Sequence, residues 1–188
     1  MNKVKYGLRN VHYAKITIGD NGVYSYGTPV ALPGGVSLSV SPAGDKAEFY
    51  ADDILYFNAE NNQGYTGTLT IADITDAFKK DILGQEQDSN GALIEDADLL
   101  PSSFALMFEV QGDSKPRRFV YYDCSVARPG SEFNTKESSV TPATDALEIT
   151  MKPRTSDNAV KAVLEKSATN ETAYNAFFDA VYEKATSL

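Results

Sequence analysis

Carboxylates are the residues of this chain whose types and spacing come closest to a catalytic pattern. They occur in close groups along the sequence, at Asp52-Asp53, Asp73 with Asp76, and Glu95-Asp96 with Asp98. A glycosidase needs two carboxylates that face each other across a cleft, and nothing in the sequence brings two of these groups together. Adjacent aspartates on a strand point to opposite sides, and the second group is explained by a helix start, where the helix dipole favours negative charge.

Metal and nucleophile chemistry are limited by the scarcity of histidine and cysteine. His12 and Cys124 are the only residues of their types, which excludes an intrachain disulfide, a multi-cysteine cluster and a two-histidine site. A Cys-His dyad would need these two residues to pair, but Cys124 falls in a predicted central strand, where a buried thiol is usual. The acidic run Glu95–Asp98 offers oxygen ligands for calcium, although its spacing is not that of an EF-hand loop.

Phosphate and nucleic-acid motifs are also missing. The stretch LPGGVS lacks the lysine and helix start of a P-loop, and the one basic run, Lys115 to Arg118, lies at a predicted turn. The net charge of −9 repels nucleic acid at close range. By elimination, the sequence predicts a binding or structural protein with no active site, no cofactor and no metal.

The length of 188 residues suits a single domain with one sizeable core. No stretch approaches the roughly 20 apolar residues of a membrane helix, and the charged N-terminus does not resemble a secretory signal. We therefore expect one domain over residues 1–188, without membrane insertion.

Strands with a period of two dominate the chain. Asp20-Asn21-Gly22 supplies a turn between His12–Ile18 and Val23–Tyr26, which predicts a hairpin. The stretches GVSLSVS and TGTLTIA alternate apolar residues with serine or threonine, placing Val36, Leu38 and Val40 on one face. The remaining predicted strands are Phe104–Val110 and Arg118–Ala127, which form a central hairpin, then Ala146–Lys152 and Ala159–Lys166.

Two helices interrupt the strands. Thr75–Leu83 has helical spacing, with Asp73 or Thr75 as the cap and Gly84 as the stop. A C-terminal helix is predicted over residues 169–185, with an aromatic stripe that we expect to face the core, formed by Tyr174, Phe177, Phe178, Val181 and Tyr182. The predicted fold is thus mainly β, a β-sandwich or barrel-like domain with one packed helix and a short C-terminal helix.

Two segments are unusually long for loops, and such loops are typically functional or disordered. Ser41–Gly64 contains two short strands, Glu48–Ala51 and Ile54–Phe57, and a polar segment, AENNQG, that we expect to form the tip of a projecting hairpin. Gln85–Leu100 is acidic, with only a small apolar part at Ala92 to Ile94.

Several stretches follow one another in order along nearly the whole chain: VKYGLRNVHYA, YGTPVALPGGVSLSV, the FYADDILYF to NNQGYTGTLTIADITDAFKKDILG block, ALIEDA, FALMFEVQGD with RRFVYYDCSVARP, and NAFFDAVY. Together they resemble the phi-13-like family of phage major tail proteins. The resemblance implies a structural virion protein that forms stacked, hexameric rings. These rings build the tube of a long non-contractile tail, through which DNA passes without specific binding.

The same resemblance implies the partners and the location of the protein. Copies of the chain, the tape-measure protein, and the tail-tip and tail-terminator proteins are the expected partners. The expected location is the virion tail, with the host cytoplasm during assembly. Some proteins of this kind carry an appended immunoglobulin-like domain, and none is expected here.

Assembly contacts are expected in the N-terminal arm, residues 1–8, in the hairpin of residues 41–64, and in the acidic loop. The candidate contact residues are Lys3, Val4, Tyr6, Leu8, Tyr50, Asp52, Asp53, Tyr56, Asn61, Asn62, Tyr65, Glu95 and Asp96. Two other interpretations stay open at this point. One is a carbohydrate-binding β-sandwich, as in an adhesin or tail accessory module, and the other is a hydrolase that uses an Asp/Glu pair.

Overall fold

The fold is built almost entirely from antiparallel strands. A computed structural model describes residues 3–20, 22–44, 46–112, 114–131, 133, 135 and 142–185 of the protein. The strands are β1 Leu8–Ile18, β2 Tyr24–Tyr26, β3 Val30–Ala31, β4 Gly35–Pro42, β5 Lys46–Ala51, β6 Ile54–Glu60, β7 Tyr65–Ile71, β8 Glu86–Gln87, β9 Leu93–Ile94, β10 Phe104–Val110, β11 Arg117–Val126, β12 Asp145–Lys152 and β13 Lys161–Glu165. The helices are α1 Asp76–Asp81, α2 Glu171–Asn175 and a 3-10 turn, Ala176–Phe178. The predicted mainly-β class is confirmed.

The main sheet curls back on itself. Its strands follow the order β2-β1-β10-β11-β12-β7-β4, β13 pairs with β11, and β3 pairs with β1. Only residues 32–34 separate β3 from β4, and backbone hydrogen bonds continue across this gap, from Leu32 N to Val11 O (2.8 Å) and from Ala72 N to Gly34 O (2.9 Å). Because one continuous segment pairs with β1 through β3 and with β7 through β4, the strands form a barrel-like circuit that closes where β3 passes into β4. Within the described residues, the rest of β4 pairs with β7 alone.

The inside of this circuit is the main hydrophobic core. Phe104, Leu106 and Phe108 from β10 meet Leu147, Ile149 and Met151 from β12, and all six side chains are buried. Helix α1 contributes Phe78, which is fully buried and packs edge-to-face on Tyr13 and Phe104. The helix therefore closes the core rather than offering an interface.

A second, smaller core covers the outer face of the central strands. Ala105 and Met107 from β10 and Val120 and Tyr122 from β11 contact the C-terminal segment through Phe177 and Val181. The β10–β11 hairpin is therefore buried on both faces, as its apolar residues at successive positions predicted. The aromatic stripe of the C-terminal segment faces the core as expected, because Phe178 and Tyr182 also pack against this cluster.

The helices are shorter than the sequence predicted. α1 begins after Thr75, whose hydroxyl accepts a hydrogen bond from Phe78 N at 3.3 Å, and Gly84 follows with a positive φ. The C-terminal helix covers only Glu171–Asn175, continues as the 3-10 turn, and is not helical over the described residues beyond it. Burial of aromatic side chains, rather than helix propensity, fixes this segment. Within the described residues, none of the helices is long and apolar enough to cross a membrane.

Candidate assembly surfaces

The segment expected to project from the sheet is a continuous extension of the β4–β7 pair. Pro42 pairs with Tyr65, Ala43 N donates to Gly64 O (2.9 Å), and the pairing resumes between Lys46 and Glu60. Among the residues that the structure describes, strands β5 and β6 pair only with each other and form a separate two-stranded sheet. We call residues 46–60 the β5–β6 hairpin.

The tip of the hairpin differs from the prediction. The turn is Asp52-Asp53, with φ of 52° and 61°, and not the polar segment AENNQG, which lies on the return strand and at the hairpin base. Two consecutive residues with positive φ are typical of the type I′ turn, which asparagine, aspartate and glycine tolerate. The two aspartates therefore form a turn instead of pointing to opposite sides of a strand.

Two glycines hold the hairpin base close to the rest of the structure. A Cβ at Gly64, where φ is +99°, would lie 2.0 Å from Met151 O, and one at Gly44 would lie 1.8 Å from Asn61 O. Asn62, one of the predicted contact residues, accepts a hydrogen bond from Gly64 N at 3.0 Å through its side chain. Asn62 thus stabilises the base, whereas Asn61 is exposed and Tyr65 packs against the main core.

The hairpin exposes large apolar side chains on both of its faces. Tyr50 is 61% exposed and Tyr56 is 73% exposed, so both predicted contact residues are accessible to a partner. Ile54, Leu55 and Phe57 are also exposed and were missed by the sequence argument. Because side chains alternate along a strand, Leu55 and Phe57 lie on one face and Ile54 and Tyr56 on the other. Apolar exposure of this extent marks an interaction surface.

The N-terminal arm lies along the end of the central hairpin. Tyr6 O accepts from Gly112 N (3.1 Å) and Gly7 O accepts from Gln111 N (3.0 Å), so the arm extends the β1–β10 ladder. Val4 and Tyr6 are each about half exposed, Lys3 is exposed, and Leu8 packs partly against the core. The arm thus offers side chains beside the β10–β11 turn.

The acidic loop is fastened to the body of the protein by one arginine. Arg128 Nη2 donates to the carbonyl oxygens of Asp96, Ala97 and Leu99 at 3.0 to 3.1 Å, and its Nη1 lies 3.3 Å from Glu95 Oε1. Asp96 Oδ1 accepts from Asp98 N. Glu95 and Asp96 therefore hold the loop in place. Across the described residues, no group of three or more His, Cys, Asp or Glu side chains converges as a metal site would.

The outer face of β4, β7 and β12 is lined by hydroxyl groups. The register places Ser37, Ser39 and Ser41 on β4 opposite Thr70, Thr68 and Thr66 on β7, with Glu148 and Thr150 next to them on β12. Thr68 donates a hydrogen bond to the Glu148 carboxylate at 3.0 Å. On the other face, Leu38 and Val40 pack against the core as predicted. Val36 does not, because a register shift between Gly35 and Ser37 leaves it 58% exposed.

His12 and Cys124 do not form a pair. The Cys124 thiol is fully buried and donates to Tyr121 O at 3.7 Å, and burial raises its pKa well above the usual range. The His12 ring stacks on Phe178 and its Nδ1 donates to Asn10 O at 2.9 Å. Both residues have the surroundings of structural side chains.

A buried ionic network, not predicted from the sequence, ties the chain ends to the central hairpin. Glu109 is 2% exposed and accepts hydrogen bonds from Arg9 Nε (2.6 Å), Arg118 Nε (2.8 Å) and Tyr174 Oη (3.3 Å). Burial raises the pKa of Glu109, but the hydrogen bonds from Arg118 and Arg9 outweigh it, so its pKa lies below the ordinary value. Arg118 also donates to Tyr174 O.

Comparison with known proteins adds no relative: no protein-family model matches the chain, and no curated protein matches it either.

Proposed function

We propose that this chain is a self-assembling structural protein that forms stacked rings and builds a phage tail tube. The observation that carries the proposal is the β5–β6 hairpin, which extends beyond the barrel and exposes Tyr50, Tyr56 and Leu55. A solvent-exposed hairpin with apolar side chains on both faces needs a partner surface to cover it. Six copies per ring are what the resemblance to phage tail proteins implies.

Strand edges support a ring of subunits. Within the described residues, β4 pairs with β7 alone and β13 pairs with β11 alone, so each of these two strands has one unpaired edge. Exposed edges invite pairing with another chain, and head-to-tail contacts between different surfaces close into rings when the rotation is right. Lateral contacts of this kind suit the ring, and the hairpin suits contact between rings.

The hydroxyl-lined face of β4, β7 and β12 suits the inside of a tube. Serine and threonine bind water without attracting phosphate, and Glu148 adds a negative charge. DNA passes such a wall without sticking, whereas a wall of lysines would retain it. In this proposal the protein is not an enzyme and holds no cofactor. It belongs to the virion tail, where the tape-measure, tail-tip and terminator proteins are its further partners.

A carbohydrate-binding module is the second candidate, because Tyr50 and Tyr56 are exposed aromatic rings of the kind that stack on sugars. The two functions differ in stoichiometry. A sugar-binding module has no need to form open-ended polymers, whereas a tube protein polymerises.

The proposal is tested by light scattering over a concentration series of the wild-type protein and a Tyr50→Ser/Tyr56→Ser variant. We expect the wild type to form large particles above a threshold concentration and the variant to stay monomeric with an unchanged thermal midpoint. Wild-type protein that stays monomeric at all concentrations and binds a glycan array would support the second candidate instead.

A further inference from the structure

A groove lies at the opposite end of β4 from the β5–β6 hairpin. The hairpin continues from Pro42, whereas the groove surrounds Gly35, where β4 begins. At about 3.3 Å per residue, these two ends of one strand are about 23 Å apart. One copy of the chain therefore presents a projecting element at one end of this strand and a recess at the other.

The groove is mostly apolar and has a volume of about 350 Å³, within the size range of small binding pockets. It runs between the start of β1 and the passage from β3 to β4. Val30 and Val36, which flank the groove in sequence, are exposed. Leu8, Arg9, Val11, Ala31, Pro33 and Gly35 are among the residues that line it.

Positive charge lies at the β1 end of the groove, where Arg9 is part of the lining, in an otherwise acidic protein. The register aligns Arg9 with Glu109 and Glu109 with Arg118, so one carboxylate is shared by two guanidinium groups. Two guanidinium groups outnumber one carboxylate, so this cluster of three side chains carries a net positive charge.

The hairpin has the opposite charge at its tip. Asp52 and Asp53 form the turn, both are exposed, and Glu48 lies behind them on β5. An acidic turn flanked by Tyr50, Leu55 and Tyr56 is complementary to an apolar groove with a basic margin. The acidic tip also disfavours a membrane as the partner of the hairpin, because anionic lipid headgroups would repel the tip.

We propose that the groove at the start of β4 receives the β5–β6 hairpin of a second copy of the chain. This inference rests on the proposed self-assembly and adds the receiving surface. The hairpin and the groove are different surfaces at opposite ends of one strand, so the contact is heterologous and repeats without closing on itself in a dimer. Stacking of subunits in one direction follows from this polarity.

Disulfide trapping between copies tests the assignment. Cys124 is fully buried, so an introduced cysteine is the reactive thiol of each variant. An Ala31→Cys variant is mixed with an affinity-tagged Tyr56→Cys variant, concentrated and mildly oxidised. Pro33→Cys mixed with Leu55→Cys provides a second pair, and Ser39→Cys on the hydroxyl-lined face replaces the groove partner in the control. A disulfide forms only where the two Cα atoms approach to within about 7 Å.

We expect a covalent heterodimer from either groove pair at concentrations where light scattering detects polymer, at least tenfold more abundant than with the Ser39→Cys control. Two results would overturn the groove assignment and leave self-assembly intact. In one, the protein polymerises but the hairpin cysteines form disulfides with the Ser39→Cys control variant. In the other, it polymerises but they form none with either groove position. Wild-type and variant chains that stay monomeric at every concentration would overturn both.

Discussion

At the scale of single residues, Asp52 and Asp53 combine two roles that can be separated. Their positive φ values shape the turn, and their carboxylates give the hairpin tip its charge. An Asp52→Asn/Asp53→Gly variant would have Asn-Gly, the sequence that type I′ turns favour most. The substitution should keep the backbone shape of the turn and remove both charges.

We expect the free energy of unfolding of this variant to lie within about 0.5 kcal/mol of the wild-type value, because the turn is preserved. Its polymerisation, measured by light scattering from low to high salt, should need a higher protein concentration and lose its salt dependence, since the charge attraction that salt screens is gone. Polymerisation with the wild-type threshold and salt dependence would show that the acidic tip contributes no contact.

Gly64 gives a second prediction at this scale. A Gly64→Ala substitution places a Cβ 2.0 Å from Met151 O at a φ of +99°, so both backbone strain and a clash with main chain oppose it. We expect the free energy of unfolding, measured by urea denaturation, to fall by about 3 kcal/mol or more.

Gly22→Ala is the matched control, because Gly22 also has a positive φ of +71° but no atom within 4 Å of the added Cβ. We expect it to lose only the strain contribution, about 1 kcal/mol. Equal losses in the two variants would mean that the close approach to Met151 is unimportant.

Sequence reasoning succeeded with residues whose role is local and failed where the role depends on register. Of the two predicted helix caps, Asp73 and Thr75, the structure shows Thr75, whereas the assembly contacts of the exposed Tyr50 and Tyr56 stay a prediction. The hairpin tip was assigned to AENNQG, although the predicted strands Glu48–Ala51 and Ile54–Phe57 left Asp52-Asp53 between them, because which strands pair is not visible in the sequence. The exposed Val36 was missed for the same reason, since a register shift is not visible in alternation.

At the scale of elements, the hairpin is separable from the barrel. None of its described side chains is buried, so the barrel core does not depend on it. Replacing residues 46–60 with an Asn-Gly turn should leave the thermal midpoint within a few degrees of the wild type and abolish polymerisation in light scattering. Unchanged polymerisation would remove the hairpin from the account.

The Glu109 network joins β1, β10, β11 and α2, and we expect it to contribute stability in a pH-dependent way. The pKa of Glu109 is lowered in the folded state, so its contribution is present above the ordinary carboxyl pKa and is lost as the pH falls through the folded value. The free energy of unfolding of a Glu109→Gln variant should be about 3 kcal/mol lower than that of the wild type at pH 7. Urea unfolding from pH 7 to pH 3 should show a smaller acid-induced loss in this variant than in the wild type.

Glu165→Gln is the control for that experiment. The Glu165 pKa is also lowered, chiefly by its hydrogen bond with Arg117, but this pair lies at the surface. Solvent screens such pairs, so we expect a smaller loss at pH 7. If Glu109→Gln had no greater effect than Glu165→Gln, the buried network would not stabilise the fold.

The sequence predicted most elements because alternation and turn residues are local signals. The β10–β11 hairpin, β12 and α1 lie close to where they were expected. The C-terminal helix was overestimated because its aromatic stripe satisfies helical spacing, whereas the segment is fixed by packing on Met107 and Tyr122. The closure of the sheet through β3 and β4 could not be predicted, because it depends on which strand each segment joins.

At the scale of the whole molecule, the described surfaces fit the polymerisation that we propose. The projecting acidic hairpin and the groove lined by Arg9 lie at opposite ends of β4 and are different surfaces. A contact between two different surfaces favours rings and stacks over symmetric dimers. The hydroxyl-lined face is then the surface best suited to the lumen.

Negative-stain electron microscopy of the purified wild-type protein across a concentration series tests this claim most directly. The account predicts hollow rings at intermediate concentration and tubes of uniform width at high concentration, and no tubes from the variant without residues 46–60. Compact, separate particles at every concentration, even after addition of a tape-measure or tail-tip protein, would contradict it.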